Sequence, residues 1–232
     1  MALPQLNTTR YVTTIPSLDK EVSFRPYLVK EEKLLMIAME SQDQKQIIRA
    51  VKDVIKSCVI DDIEVEKLAM FDIEALFLAL RSKSVGERVD VRLKCNECEQ
   101  LTDVNINLDE IGVNKQEINN VIKLTEDVGV VMRYPAIDDV EGLDQEGGID
   151  AMMSIIYKCV DSLYDNDNVY DKNSYTEKEL EEFFDNLNSE QFKKVTEFFE
   201  NLPSIVHNVQ FNCVSCNKSN DVELKGLASF FT

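Results

Sequence analysis

Two Cys-x-x-Cys pairs are the residues of this 232-residue sequence with the clearest capacity for chemistry: Cys95 with Cys98, and Cys213 with Cys216. A turn of this spacing directs two thiolates to one side, which supplies half of a tetrahedral metal site. Structural zinc takes four ligands, with Zn–S bonds of about 2.3 Å. The two pairs together therefore predict one structural zinc ion per chain, bound by all four cysteines. A closed site of this kind leaves no coordination position for catalysis.

The length of chain between the two pairs is the main difference from an ordinary zinc ribbon. Cys98 and Cys213 are separated by 114 residues, whereas the usual spacing is about 12–20 residues. A shared site requires that the intervening segment is an insertion that returns the chain to the first pair. Three alternatives stay open from the residues alone: a redox pair, thiols without a metal, and disulfides. A redox pair normally opens a helix, and disulfides are uncommon in a reducing cytosol.

The residues around each pair alternate between apolar and polar, which predicts a strand, a tight turn and a second strand. The alternation runs over residues 88–94 and 103–108 around the first pair, and over 205–212 and 221–224 around the second. This pattern is typical of a zinc ribbon, and it is present twice. His207 precedes the second pair by six residues, and we interpret it as a strand-surface residue and not as a ligand.

The other two cysteines have structural interpretations. Cys58 and Cys159 each fall on the apolar face of a predicted helix, where free cysteine behaves as a small buried hydrophobe. Acidic residues elsewhere carry no site. The run that begins at Asp165 does not match a calcium loop, because Tyr170 and Thr176 stand where that loop needs Gly and Glu. Neighbouring carboxylates on predicted helices are expected to be solvated charges: Glu31, Glu32, Glu181 and Glu182.

The composition favours a binding or assembly protein over an enzyme. The chain has a single histidine and seven glycines. It contains no phosphate-binding glycine loop, no dinucleotide fingerprint and no His-Glu-x-x-His motif. A catalytic centre built on Cys-His or Ser-His is therefore poorly supported.

The charge excludes two classes of partner. Asp and Glu number 43 against 25 Lys and Arg, which gives a formal net charge of −18. A nucleic-acid-binding protein needs basic residues to displace counterions, and an anionic membrane surface would repel this chain. The sequence shows no secretory signal and no apolar run of membrane-spanning length. We therefore expect a soluble cytosolic protein that meets protein partners.

Between the hairpins the apolar residues follow helical spacing. Helices are predicted over residues 30–40, 41–60, 73–82, 149–163 and 176–187, with a last one after Asn188. Asp43, Asp72 and Thr176 are the expected N-caps. The helix over 73–82 is apolar nearly all round, which predicts a central position or a partner-covered one. Acidic or polar segments predict a linker over 61–67 and loops over 138–148 and 164–175.

These elements predict an α+β fold in which split zinc-ribbon-like β hairpins have two helical groups packed around them. We expect five segments in one compact unit: an N-terminal hairpin (1–29), a helical region (30–87), the first zinc knuckle with further hairpins (88–134), a helical insertion (135–204), and the second knuckle with the C-terminal tail (205–232).

Three stretches resemble the baseplate hub protein family of T-even-type contractile-tailed bacteriophages: FRPYLVKEEKLL over 24–35, DIEALFLALRSKSVG over 72–86, and LKGLASFF over 224–231. The resemblance covers nearly the whole chain. It implies a virally encoded, non-enzymatic protein that helps to build the central hub of the tail baseplate, with other hub proteins as partners. It places the protein in the host cytoplasm during assembly or in the virion baseplate. It implies no catalytic residues, and the Cys-x-x-Cys pairs look like family features.

An alternative function stays open, a zinc-ribbon adaptor in another intracellular assembly such as a transcription-associated factor. The basic segment 81–88 has two interpretations, a docking site for an acidic partner or a solvated helix end favoured by the helix dipole. Leu227, Phe230 and Phe231 are expected to pack into the core, and insertion into a neighbouring protein is the alternative.

Overall fold

A computed structural model describes residues 7–114, 118–141 and 148–230. These residues form a mixture of helices and small sheets, which confirms the α+β class. The helices are α1 Val29–Ser41, α2 Gln44–Cys58, α3 Met70–Ser84, α4 Ile137–Glu141, α5 Ile149–Cys159, α6 Glu177–Asp185 and α7 Ser189–Glu200. The strands are β1 Tyr11–Ile15, β2 Lys20–Phe24, β3 Arg88–Lys94, β4 Leu101–Asn107, β5 Gly112–Val113, β6 Val121–Lys123, β7 Gly129–Met132, β8 Val160–Tyr164, β9 Val169–Asp171, β10 Ile205–Asn212 and β11 Ser219–Lys225.

The strands of the described residues form four small antiparallel sheets. The pairs β1–β2 and β3–β4 are simple hairpins, β11–β10–β5 is three-stranded, and β6–β7–β8–β9 is four-stranded. Every predicted hairpin is thus present. Among the described residues, no helix combines the length and the hydrophobicity that a membrane crossing requires.

The chain divides into two compact units. The first unit comprises the described residues of Met1–Asn114 and Ser204–Thr232, and the second comprises those of Lys115–Pro203. Both Cys-x-x-Cys pairs therefore belong to the first unit, although one precedes the second unit in sequence and the other follows it. The five segments proposed from the sequence stay a prediction.

Helix α3 provides the centre of the first unit. Side chains on all its sides are buried, including Ile73, Leu76, Phe77, Leu78 and Leu80. This confirms the central position expected for a helix that is apolar nearly all round.

The start of α3 differs from the sequence prediction. The helix begins at Met70, and Asp72 lies in its first turn and not at the N-cap. The Asp72 carboxylate is fully buried and accepts hydrogen bonds from the backbone N–H groups of Ala69 and Ser17 and from the Ser17 hydroxyl (3.1, 2.8 and 2.6 Å). Burial raises the pKa of Asp72, and the Ser17 hydrogen bonds oppose that shift. Asp72 therefore connects the β1–β2 turn to α3, a long-range contact that no local pattern indicates.

The other two predicted N-caps, Asp43 and Thr176, are confirmed. Asp43 caps α2 and accepts from the N–H of Lys45 at 2.9 Å. Thr176 caps α6, and its hydroxyl and Glu179 form the reciprocal capping box. Local sequence determines these contacts, since both partners lie within one helical turn.

Glu31 is not a solvated charge, as the sequence analysis expected, but is 5 % exposed and paired with Arg25 at 2.8 Å. Its second carboxylate oxygen accepts from the N–H of Leu28 at the start of α1. Burial alone would raise the pKa of Glu31, but the hydrogen bonds from Arg25, Leu28 and Lys30 together outweigh it and the pKa is lowered. The partner Arg25 lies beyond the helix, which is why helix periodicity does not reveal the pairing.

The structure corrects four sequence-based predictions of element boundaries, three in the second unit and one in the first. Helix α5 ends at Cys159 and not at residue 163, because Val160–Tyr164 pairs with β7 as strand β8. The predicted loop over 164–175 contains β9, which pairs with β8. The predicted loop over 138–148 begins as α4, and its residues 142–147 lie outside the described residues. Likewise, the predicted linker over 61–67 contains a 3₁₀ turn at Val65–Lys67.

The core of the second unit is formed where α5, α6 and α7 pack on the four-stranded sheet. Val130, Met132, Ile156, Val195 and Phe198 are among its buried side chains. The first unit has a core of its own. There, near the C-terminus, Phe230 is fully buried and Leu227 is partly buried against this core, as expected, while Phe231 lies outside the described residues.

Gly129 has a packing role that can be tested. It lies opposite Tyr164 in the β7–β8 pair, and the Tyr164 ring occupies the space that any side chain at position 129 would need. We expect Gly129→Ala to lower the free energy of unfolding by about 1–3 kcal/mol, the usual cost of overpacking. Denaturant unfolding followed by circular dichroism measures this.

The matched control is Gly112→Ala, because a methyl group at Gly112 would have no heavy atom within 4 Å. We expect it to change the unfolding free energy by less than about 0.5 kcal/mol. Equal stabilities for the two variants would contradict the packing role of Gly129.

Candidate metal centre

The first Cys-x-x-Cys pair lies in the turn of the β3–β4 hairpin. Seven residue pairs connect the two strands, and the turn of residues 95–100, here called the first knuckle, joins them. The N–H of Cys95 donates to the carbonyl oxygen of Gln100 (2.9 Å), and the N–H of Glu99 donates to that of Cys95 (3.0 Å). Glu99 has a φ of 60°, a left-handed conformation that closes the turn.

The second pair occupies the same kind of turn in the β10–β11 hairpin, residues 213–218, here called the second knuckle. The N–H of Cys213 donates to the carbonyl oxygen of Lys218 (2.9 Å), and the N–H of Asn217 donates to that of Cys213 (3.0 Å). Asn217 has a φ of 57°, which asparagine adopts more readily than most residues. The two predicted strand–turn–strand units are thus both present.

The structure brings the four cysteines together across the 114 intervening residues. Their sulfur atoms all lie within 4.8 Å of one another, close enough to bind a metal ion. Between the knuckles, the sulfurs of Cys95 and Cys216 are 3.7 Å apart, and those of Cys98 and Cys213 are 3.5 Å apart. A tetrahedron with Zn–S bonds of about 2.3 Å has edges of about 3.8 Å. The sulfur spacing therefore fits a four-thiolate site.

An apolar layer beneath the knuckles holds the two hairpins together. Its buried residues come from both hairpins, from α3 and from the C-terminal turn, and they include Leu78, Val91, Leu93, Phe211 and Phe230. Because alternate strand residues face this layer, the strand ends that carry the cysteines are directed to one place. The alternation visible in the sequence thus positions the site.

The two cysteines of each knuckle differ in exposure. Cys95 and Cys213, the first of each pair, are buried, whereas Cys98 is half-buried and Cys216 is exposed. One side of the sulfur cluster therefore faces the protein and the other faces solvent.

The backbone of the second knuckle favours a thiolate. The N–H groups of Cys216 and Ser215 donate to the Cys213 sulfur and lower its pKa to about 6. Cys98 behaves oppositely: the N–H of Gln100 favours its thiolate, but the neighbouring sulfurs and desolvation raise its pKa to about 12. Sulfurs this close cannot all carry negative charge without a cation. A soft divalent metal would supply that charge and be bound by thiolates.

Cys58 and Cys159 lie elsewhere and are fully buried, as predicted. Desolvation raises the pKa of Cys58 to about 11 and that of Cys159 to about 12. Neither thiol belongs to the sulfur cluster. His207 pairs with Leu224 within the β10–β11 hairpin and is half-buried, in agreement with a strand position.

In the acidic segment after β8, the Asp165 carboxylate accepts hydrogen bonds from neighbouring residues of the same segment. Asp165 accepts from the N–H groups of Asp167 and Asn168 (both 2.8 Å) and from the Tyr170 hydroxyl (2.8 Å). This arrangement is a turn stabilised by an aspartate side chain.

The basic segment 81–88 makes contacts within its own unit. Lys83 pairs with Glu87 at 2.7 Å and with Asp109 at 3.0 Å, and Arg81 donates to the carbonyl oxygen of Gly86. These contacts favour the interpretation as a helix end over that of a docking site.

Two polar residues beside the knuckles are absent from the sequence-based candidates. Asn220 accepts from the N–H of Asn96 at 2.9 Å, and Thr102 accepts from the N–H of Val214 at 3.5 Å. Both side chains are 4 % exposed. Each lies four positions after the second cysteine of its own knuckle, Cys98 or Cys216. That shared spacing is the sequence signal by which they could be found.

Comparison with known families gives one finding. Residues 8–232 match the family model described as T4 bacteriophage base plate protein, so the match spans nearly the whole chain. No curated protein and no solved structure shows a significant match.

The buried thiols of Cys58 and Cys159 make the free energy of unfolding depend on pH in the alkaline range. A raised pKa in the folded state means that the folded chain holds the thiol proton more tightly than the unfolded chain does. The contribution is fully present below the unfolded thiol pKa of about 8.5. It is lost as pH rises through the folded values of about 11 for Cys58 and about 12 for Cys159. We expect the unfolding free energy to decline over this range.

Denaturant unfolding at a series of pH values, for the natural chain and for Cys58→Ala/Cys159→Ala, isolates these two thiols. The difference in unfolding free energy between the two proteins should shrink above about pH 9. A difference that is constant up to pH 11 would contradict the assignment of both thiols as buried and neutral.

Proposed function

Because the chain belongs to the T4 bacteriophage base plate protein family, we propose that it is a non-enzymatic structural or assembly protein of the baseplate hub. The family match over residues 8–232 is the observation that carries this proposal. A baseplate protein functions by contact with other phage tail proteins, and we assign those contacts to hub proteins. The protein then functions in the host cytoplasm during tail assembly and associates with the tail baseplate.

The four-cysteine site supports a structural role for a metal. Cys95, Cys98, Cys213 and Cys216 are the ligands we propose, with one zinc ion per chain, in a split zinc ribbon built from the two hairpins. An all-sulfur donor set selects zinc among the common structural ions, and four protein ligands leave no position for a substrate. The ion would supply positive charge to the crowded thiolates and connect hairpins that are distant in sequence.

An exposed apolar surface on α1 supports protein–protein contact. Val29, Leu34, Met36, Ile37 and Met39 all lie on this one helix and are 40–64 % exposed. Adjacent exposed hydrophobes on one helix mark interaction sites more often than isolated ones do. Methionine side chains also adapt to irregular partner surfaces. We propose this surface, called the α1 surface, as the contact with a hub protein.

The overall charge fits such a partner. With a formal net charge of −18, the chain repels nucleic acid and its own copies at long range. Helix α1 is an exception, because its two lysines nearly balance its three glutamates. Contact through a nearly neutral apolar surface does not require removal of many charges from water.

Recovery of partners tests the hub assignment. We expect the tagged chain, purified from infected cells during tail assembly, to carry baseplate hub proteins. The variant Met36→Ser/Ile37→Ser should lose at least about tenfold of that recovery, since each exposed anchor can contribute more than about 1 kcal/mol to binding. Quantitative mass spectrometry of the recovered proteins measures the loss.

The control for this experiment is Val169→Ser, which alters a residue of similar exposure in β9. It should recover hub proteins like the natural chain does. Recovery of RNA polymerase in place of tail proteins would instead favour a transcription-associated adaptor.

Metal analysis tests the site. We expect about one zinc per purified chain, the stoichiometry of a four-thiolate site. Cys95→Ser/Cys213→Ser should lose the zinc and much of the stability of the first unit, because metal binding and folding are coupled. Cys58→Ala, a cysteine outside the cluster, is the matched control and should keep the zinc. Retention of zinc by the double variant would contradict the assignment.

A further inference from the structure

We propose that Thr102 and Asn220 are positioning residues of the four-cysteine site, that each holds the knuckle of the opposite hairpin, and that they are equivalent residues in two copies of one structural module. The metal-binding part rests on the proposed zinc site. The argument begins with the equivalence of the two hairpins.

The two hairpins correspond residue by residue in their strand pairing and backbone hydrogen bonds. Each position of the first has a counterpart 118 positions later, as Cys95 has Cys213. The strand pairing from Arg88↔Asn107 to Lys94↔Leu101 corresponds to that from Val206↔Lys225 to Asn212↔Ser219. Both knuckles have the same two backbone hydrogen bonds and the same left-handed residue.

The contacts between the hairpins follow the same equivalence. The N–H of Asn96 in the first hairpin donates to Asn220 in the second hairpin. In the same way, the N–H of Val214, the counterpart of Asn96 in the second hairpin, donates to Thr102 in the first. The sulfur contacts behave alike, since the contact between Cys95 and Cys216 corresponds to that between Cys213 and Cys98. The four-cysteine site thus has a local pseudo-two-fold symmetry, with one knuckle from each hairpin.

Burial shows why these two side chains matter for the site. Thr102 and Asn220 are among the few buried polar residues of the described chain. The Asn220 amide nitrogen donates to the carbonyl oxygen of Lys218 (3.0 Å), which orients its oxygen toward the first knuckle. A buried polar side chain without a partner is unfavourable, and the backbone N–H of the opposite turn is the partner that Thr102 and Asn220 each accept from. Each side chain therefore restrains the opposite turn. Restraint of this kind from outside the ligand set orients metal ligands.

The equivalence extends to the segments that precede the hairpins. In the first unit, Arg25 directly follows β2, and its guanidinium donates to the carbonyl oxygens of Pro26 (3.0 Å) and Ser57 (2.9 Å) and to the carboxylate of Glu31 (2.8 Å). Its backbone N–H donates to the carbonyl oxygen of Cys58 at the end of α2 (3.0 Å).

The second unit repeats this arrangement. Arg133 directly follows β7, and its guanidinium donates to the carbonyl oxygens of Tyr134 (3.0 Å) and Lys158 (2.7 Å) and to the carboxylate of Asp139 (2.6 Å). Its backbone N–H donates to the carbonyl oxygen of Cys159 at the end of α5 (2.8 Å).

The order of elements is therefore the same in two successive stretches of chain. Each has a hairpin, an arginine, a helix whose first turn supplies the carboxylate, a helix that ends in a buried cysteine, a further helix, and a knuckle hairpin followed by a 3₁₀ turn. Two copies of one module explain this order; the second copy has β8, β9 and α6 in addition, and the first has the 3₁₀ turn Val65–Lys67. Each copy supplies one knuckle and one positioning residue.

Valine and threonine have almost the same shape and differ in the hydroxyl group, so a comparison of the two residues at each position tests the role of the acceptor oxygen. Thr102→Val and Asn220→Val remove the acceptor, whereas Asn220→Thr places there the residue of the equivalent position. We expect both valine variants to bind zinc about 10-fold to 100-fold more weakly than the natural chain, the range found for residues that orient metal ligands. Asn220→Thr should stay closer to the natural chain than Asn220→Val does.

Competition with a chromophoric chelator measures the zinc affinity, and the spectrum of the cobalt-substituted protein reports the geometry of the thiolates. Ser82→Ala is the control, because Ser82 is equally buried in the first unit but bonds to Asp109. It should leave zinc affinity and the cobalt spectrum unchanged. Valine variants that match the natural chain in affinity and spectrum would overturn the positioning role.

Amide hydrogen exchange separates this inference from the proposed metal site. The N–H groups of Asn96 and Val214 should exchange faster in Asn220→Val and Thr102→Val respectively, with metal or without it. Failure of the natural chain to bind zinc would contradict the proposed metal site alone. Unchanged exchange of both amides in the valine variants would overturn the inference presented here.

Discussion

The convergence of four sulfur atoms within 4.8 Å is the constraint on which the first unit depends. The two hairpins that carry them are separated by the whole second unit in sequence, so their association closes a long loop. Loop-closure entropy grows only slowly with length, which makes such an insertion tolerable. The apolar layer shared by both hairpins provides the attraction, and the polar contacts at the knuckles provide the orientation.

Arg25 and Arg133 connect elements that are distant in sequence, as the four-cysteine site does for the two hairpins. The guanidinium groups of Arg25 and Arg133 each donate to one carbonyl oxygen near the end of one helix and to a carboxylate at the start of another. A planar guanidinium with several donors can serve these acceptors simultaneously, which lysine cannot. A single side chain therefore links the end of a strand with the start of one helix and the end of another.

The parts of this structure that sequence predicts are those determined within a few residues. The alternation around Cys95 and the caps Asp43 and Thr176 depend on near neighbours, and they are present as predicted. The errors involve distant partners. Glu31 is buried because of Arg25, and α5 ends early because β7 provides a pairing edge for Val160–Tyr164. Thr102 and Asn220 escape detection for the same reason, since their partners lie on the opposite hairpin.

The four-cysteine site and the exposed helix α1 have different tasks in the proposed function: the site stabilises the fold, and the helix contacts a partner. The site at the knuckles has four protein donors, so a bound metal would stabilise the fold without taking part in chemistry. Helix α1 packs on α2 with only Glu31 and Ala38 buried, and five of its apolar residues are exposed to solvent. Stability that comes from the hairpins and α3 allows α1 to remain exposed, because the fold does not need to bury that surface. The proposed contact with a partner would then cover a surface that the fold itself leaves exposed.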